Sequence, residues 1–171
     1  MEIHSLPSTV EEFRQWRDSV AGTPEGGAAA FAVALTVFAE DPVLGIQLLT
    51  MALDAGQLSS GTEGIGGRQP ARLRDFKDRN GRNPHIARSM FQGTSPEAGY
   101  ALPPFPLIIK FKDSPAAPAG DETKIFIYTT GAPSPKPLSL KRNDKGMWKA
   151  TEWSSFQGNC RAPVIARPDD L

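Results

Sequence analysis

Apolar positions change their spacing along the chain, and the changes divide it into segments. Val10, Phe13 and Val20 fall at helical intervals, with Arg17 on the same stripe and Trp16 on its flank. Ser8-Thr9-Val10-Glu11 reads as a capping box with Ser8 as the cap, and Gly22 stands where this helix should end. Thr23-Pro24-Glu25 opens a second helix: threonine caps, proline is tolerated in the first turn, and a carboxylate suits the positive end of the helix dipole. From Gly26 to Phe38 nearly every residue is apolar or small, so this helix has no polar face and is expected to be buried. Asp41-Pro42 repeats the cap-and-proline start, and a third helix continues the core to a stop near Asp54-Ala55-Gly56.

Gly56 to Gly67 turns to Gly, Ser, Thr and Gln, which predicts a loop. Pro70 to Asn80 predicts a short helix with Leu73 and Phe76 inward, and Asn83-Pro84 starts another that carries Ile86, Met90 and Phe91. After Gln92 the pattern becomes β-like. Leu107 to Lys112 and Lys124 to Thr129 are β-branched and aromatic runs. Pro137 to Lys141 and Met147 to Trp153 flank the polar turn Arg142-Asn143-Asp144-Lys145-Gly146. Asp113 to Gly120 predicts a flexible hairpin tip. The expected fold class is α+β: an N-terminal helical layer packed on a C-terminal antiparallel meander of three or four strands, with Leu140 and Trp148 in the core. One domain over residues 1–171 is expected, helical over about 8–92, β over about 100–155, and irregular over 156–171.

Composition narrows the classes. A chain of 171 residues with 39% hydrophobic and 22% charged residues has the makings of a folded core. The single cysteine, Cys160, excludes an intramolecular disulfide and a multi-thiolate metal site, and a lone thiol suits the reducing cytoplasm. The N-terminus lacks the basic-then-apolar order of a signal peptide. Glu40-Asp41-Pro42 interrupts the most apolar region, Ala28 to Leu53, so no membrane span is expected.

Net charge is zero but unevenly spread. Residues 1–67 hold nine acidic and two basic side chains, while residues 68–88 hold seven basic and two acidic ones. Such segregation bears on partners, or on how the two parts face each other. The cluster Arg68, Arg72, Arg74, Lys77, Arg79, Arg82 and Arg88 is the strongest functional candidate, because arginines neutralise and chelate phosphates. Arg72, Arg74, Arg79, Arg82 and Arg88 are its candidate binding residues. A second candidate is the segment from Gly93 to Tyr100, in which Ser95, Glu97 and Tyr100 offer a hydroxyl, a carboxylate and an aromatic ring.

Catalytic candidates are poor. His4 lies in a terminus expected to fray, and His85 sits beside Arg82 and Arg88, where positive charge hinders a general base or a metal site. The glycines of Gly61 to Gly67 lack the preceding strand and the Gly-Lys-Ser/Thr of a phosphate loop. Cys160 has no histidine near it in sequence. No catalytic residue, metal site or cofactor is expected.

The order of Thr23-Pro24-Glu25-Gly26-Gly27-Ala28-Ala29, then Gly93-Thr94-Ser95-Pro96-Glu97 with Gly99-Tyr100, then Ser134-Pro135-Lys136-Pro137-Leu138, resembles an uncharacterised family of bacterial proteins. Lys141 to Lys149 and Glu152-Trp153-Ser154-Ser155 carry the same resemblance, which spans Ser8 to Ser155. That family is a domain of unknown function. It implies a bacterial one-domain protein and no catalytic residue to transfer. Its members end in Gly-Val-Arg-Pro-Pro, whereas this chain has Gly158-Asn159-Cys160-Arg161-Ala162-Pro163.

The reading best supported is a non-enzymatic module that binds another protein. The alternative is a phosphate or nucleic-acid binder using residues 68–88, and the third is an enzymatic or ligand-binding α+β cup.

Overall fold

The computed structural model describes residues 1–113 and 120–165. Most of the expected tip, residues 114–119, lies outside them. The elements, in chain order, are β1 (Glu2–Ile3), α1 (Val10–Val20), α2 (Pro24–Glu40), α3 (Pro42–Ala52), β2 (Leu58–Ile65), β3 (Arg68–Pro70), α4 (Leu73–Asp75), α5 (His85–Arg88), β4 (Leu107–Ile108), β5 (Glu122–Ile127), β6 (Lys136–Arg142) and β7 (Trp148–Glu152). A π-helical turn, Phe76–Asn80, continues α4, and 3-10 turns occupy Ala55–Gln57 and Ser154–Phe156. The class is α+β, as expected. No helix among the described residues is long and apolar enough to cross a membrane.

The three long helices begin where side-chain oxygens take up free amides. The Thr9 hydroxyl accepts from the Glu12 amide at 3.1 Å, and the Glu12 carboxylate reaches back to the Ser8 amide and hydroxyl at 2.7 and 2.9 Å. The box is therefore shifted one residue from the expected Ser8–Glu11 pairing, and Glu11 faces outward to Arg14 and Gln15. The bond from the Ser8 amide holds the Glu12 carboxyl below its ordinary range. Thr23 caps α2 through the Gly26 amide at 3.1 Å. Asp41 ends α2 by donating its amide to Val37 at 2.7 Å and starts α3 by accepting from Leu44 at 3.1 Å.

α2 is buried from Gly26 to Phe38 and lies at the centre of the molecule. A Cβ on Gly45 of α3 would sit 2.1 Å from the Phe38 Cα, and one on Gly27 of α2 would sit 2.6 Å from the Trp148 carbonyl of β7. Only glycine allows either approach. The strands β5, β6 and β7 form an antiparallel meander in that order, with Ile125 opposite Leu138 and Leu140 opposite Ala150. Leu140 and Trp148 are buried in the core, as expected. The end of α3 joins the sheet directly, where the Asp54 amide donates to Ala150 at 2.9 Å.

Three expectations are corrected. The segment after Leu107 is not a fourth full strand of the meander: β4 pairs with β1, and among the described residues only the Phe111–Ile127 bridge ties its continuation to β5. The same pairing holds the N-terminus in place, with Ile3 buried between the exposed Glu2 and His4. Residues 58–70 form the β2–β3 hairpin, where a loop was expected. Its turn is Gly66-Gly67, both at positive φ (+61° and +72°), a backbone that favours a two-residue hairpin. The serine- and glycine-rich composition concealed the strand.

Gly45→Val should lower stability by about 3 kcal/mol, because overpacking at a backbone contact forces the helices apart. Gly22→Ala, with nothing within 4 Å of the added methyl, should stay within about 0.5 kcal/mol, both variants being compared with the wild type by urea titration.

Candidate functional site at the Tyr100 turn

The structure pairs much of the basic segment's charge with carboxylates. Lys77 pairs with Glu63 at 2.7 Å and Arg88 pairs with Glu40, so carboxylates of the acidic N-terminal part meet cations of the basic part. Arg72 pairs with Asp75 at 3.3 Å and lies over the Trp153 ring, 5.2 Å from its centroid. Arg74 and Arg82 share Asp78 at 3.4 and 3.6 Å, and an Arg68 nitrogen donates to the Ala55 carbonyl at 2.9 Å. Among the described residues, only Arg79 of this cluster makes no side-chain hydrogen bond or ion pair. Phe76 and Phe91, the aromatics that bases would stack on, are fully buried.

The second candidate segment is more highly organised. Gly93 and Gly99 adopt φ of +85° and +61°, and Tyr100 itself adopts +56°, a left-handed backbone that a non-glycine residue holds only under constraint. Ser95 ties the turn: its hydroxyl accepts from the Ala98 amide at 3.2 Å and its carbonyl from the Tyr100 amide at 2.8 Å. The Thr94 hydroxyl donates to Phe91 at 2.8 Å and lies 2.6 Å from the Thr130 hydroxyl.

Tyr100 is fully buried, with its ring 5.5 Å from that of His85. Its hydroxyl donates to the Arg161 carbonyl at 2.5 Å, and the Cys160 thiol lies 3.6 Å from it. Gly131 makes room for both: a Cβ there would sit 2.4 Å from the thiol sulfur and 2.5 Å from the phenol oxygen. Burial, and then the hydrogen bond from Cys160, push the Tyr100 phenol well above its ordinary pKa. Burial lowers that of His85, which favours its neutral form.

The chain from Gln157 to Val164, which follows the 3-10 turn Ser154–Phe156, lacks regular structure but is laced down as a strap. Asn80 donates to the Phe156 carbonyl at 2.7 Å, and Lys136 donates to the Gly158 carbonyl at 2.7 Å. The Arg161 amide donates to Gly131 at 2.8 Å, the Val164 amide donates to Pro96 at 2.8 Å, and the Arg161 guanidinium pairs with Glu97 at 2.9 Å. Pro96 is buried, while Glu97, Ala98 and Gly99 are exposed. Val164 and Ile165 project outward, 50% and 84% exposed.

Ser95, Glu97 and Tyr100 thus converge on one feature, which among the described residues the other candidate touches only through the Arg88 carbonyl, an acceptor for the Thr94 hydroxyl at 3.3 Å. Local sequence concealed Asn80, Gly131, Lys136 and Arg161, whose partners lie 22 to 76 residues away along the chain. Folding brings Cys160 and His85 to the same tyrosine. The thiol's hydrogen bonds go to Tyr100 and to the Arg161 carbonyl, so no nucleophile–base pair forms. Glu152 is separately engaged with the Ser154 amide at 2.6 Å. A groove of about 500 Å³ beside the sheet is open and mixed in charge, lined by Asp54, Glu122, Lys124 and Lys141 among others. No group of three His, Cys, Asp or Glu that could hold a metal ion occurs among the described residues.

Tyr100→Phe should cost about 1 kcal/mol and speed amide exchange over residues 158–164 in hydrogen-exchange mass spectrometry. The unfolded chain loses the phenol proton near pH 10 while the folded state retains it, so stability should fall as pH rises past 10. The variant should lack that component of the alkaline loss.

A family model described as a domain of unknown function, DUF6935, matches residues 5–164. No curated protein and no solved structure matches the chain.

Proposed function

We propose, for a chain that belongs to the DUF6935 family of unknown function, a role as a protein-interaction module whose contact face is the Tyr100 turn with the strap laid over it. The observation that carries this reading is the cost of holding that face. Two segments without regular structure are fixed by long-range hydrogen bonds and a left-handed tyrosine, and they then hold apolar Val164 and Ile165 in water. Loops held rigid on a scaffold, with apolar side chains outward and a charged pair beside them, have the make-up of a recognition surface. The partner is a protein that offers an apolar cleft to Val164 and Ile165 and polar groups to Glu97 and Arg161. One thiol in the whole chain suits a bacterial cytoplasmic setting for that encounter.

A second reading, binding of a polyanion, draws on Arg74, Arg79 and Arg82, which are exposed around the single carboxylate Asp78. Exposed ion pairs of this kind are weak and yield readily to phosphate.

Affinity purification from the native host should recover a stoichiometric partner with the wild-type chain, and the double variant Val164→Asp, Ile165→Asp should lose it with an unchanged melting temperature. Recovery of the same partner by the variant would refute this face. Binding to mixed RNA and DNA that weakens about tenfold between 50 and 200 mM salt, and is abolished by Arg74→Ala, Arg79→Ala, Arg82→Ala, would favour the second reading instead.

A further inference from the structure

Lys149 of β7 lies opposite Lys141 of β6 and is half-buried. Its ammonium donates to the Met51 carbonyl in the last turn of α3. The same oxygen accepts a 3.1 Å bond from the guanidinium of Arg17, on α1. A helix C-terminus attracts a cation. Two on one carbonyl, away from bulk water, repel each other.

The surrounding charges relieve this only in part: Asp18 and Asp54 favour the charged lysine, and burial and Arg17 outweigh them. Arg17 is paired with its neighbour Asp18. Asp54 is the other nearby carboxylate, and against it stand Lys145 in the β6–β7 turn and Lys141 across the strand. An arginine does not shed its proton in a protein, but a lysine can, so Lys149 is the group that yields. Consistently, its pKa is pushed down from 10.5 to about 8, first by burial and next by Arg17.

We propose that Lys149 is an acylation site, its free amine attacking the carbonyl carbon of a thioester acyl donor. The Nζ lone pair forms the new C–N bond, and the C–S bond breaks. The thiolate leaves with those electrons and takes up the proton the nitrogen releases, giving an amide and a thiol. The amide retains one N–H for the Met51 carbonyl, and Arg17 still supplies positive charge at the end of α3. The modification therefore removes one of two crowded cations without undoing the contact. Lys136 is a residue only 6% exposed, and among the described residues no second cation joins its ammonium on the Gly158 carbonyl. Lys110 and Lys124 are exposed on the β segments.

The test is acetylation of the full chain by acetyl-CoA across a pH series, with site occupancy read by peptide mass spectrometry and Cys160→Ser as the background so that the thiol cannot relay the acyl group. At about pH 7.5 Lys149 should react about tenfold faster than Lys110 or Lys124, because a lysine activated by desolvation and a neighbouring cation has more free amine. Its rate should bend at about pH 8, where half of the amine is free, and be level by about pH 9. Arg17→Gln should reduce the advantage. Labelling of Lys149 no faster than the exposed lysines, or a rate still climbing at pH 10, would overturn the proposal. The profile of the Cys160→Ser chain with Arg17 intact decides the matter even if the Arg17 variant does not fold.

Discussion

The backbone of α2 touches the backbones of its neighbours, and that close approach sets the position of everything else. Gly45 puts α3 against Phe38 near the C-terminal end of α2, and Gly27 puts β7 against its N-terminal end. A helix that is apolar on every side is stable only when every side is covered. Here the covering elements are α1, α3, α5 and the meander. Because the contacts are backbone to backbone, the distances have little slack, and the sheet is held at a fixed depth relative to the helices. The Asp54–Ala150 and Trp148–Ala21 hydrogen bonds then stitch the two layers at their junction.

That fixed junction explains the two uses of charge. Where α1, α3 and β7 meet, two cations share one carbonyl, because α1 brings Arg17 and β7 brings Lys149 to the Met51 oxygen of α3. Across the rest of the surface, the acidic N-terminal part and the basic segment neutralise each other through Glu40–Arg88 and Glu63–Lys77. The uneven distribution of charge in the sequence is thus partly an internal matter of how two parts of one molecule face each other. What is left to solvent is a small cationic group around Asp78.

The strap shows how a segment without helix or strand can still be ordered. Its amides and carbonyls find partners at Gly131, Pro96, Lys136 and Asn80, so a backbone that would otherwise need water is satisfied by the protein. Tyr100 is the pivot. Its left-handed backbone ends the turn, and its hydroxyl bonds the strap. Gly131 is the only residue type that fits beside both the phenol and the thiol.

The chain's own pattern determined the three long helices, their caps to within one residue, the burial of α2, and the β5–β6–β7 meander with Trp148 and Leu140 inward. These depend on periodicity and on contacts a few residues apart, which a linear sequence displays. It also marked Ser95, Glu97 and Tyr100 as a specified turn. Tertiary structure alone decided the β1–β4 pairing, the ordering of the strap, the meeting of Lys149 with Arg17, and the neutralisation of the arginines. The β2–β3 hairpin belongs with these, since its Gly-Gly turn was present but its strands carry no apolar alternation. In each of these cases the energy comes from groups tens of residues apart, and their pairing is fixed only once α2 has placed the layers around it.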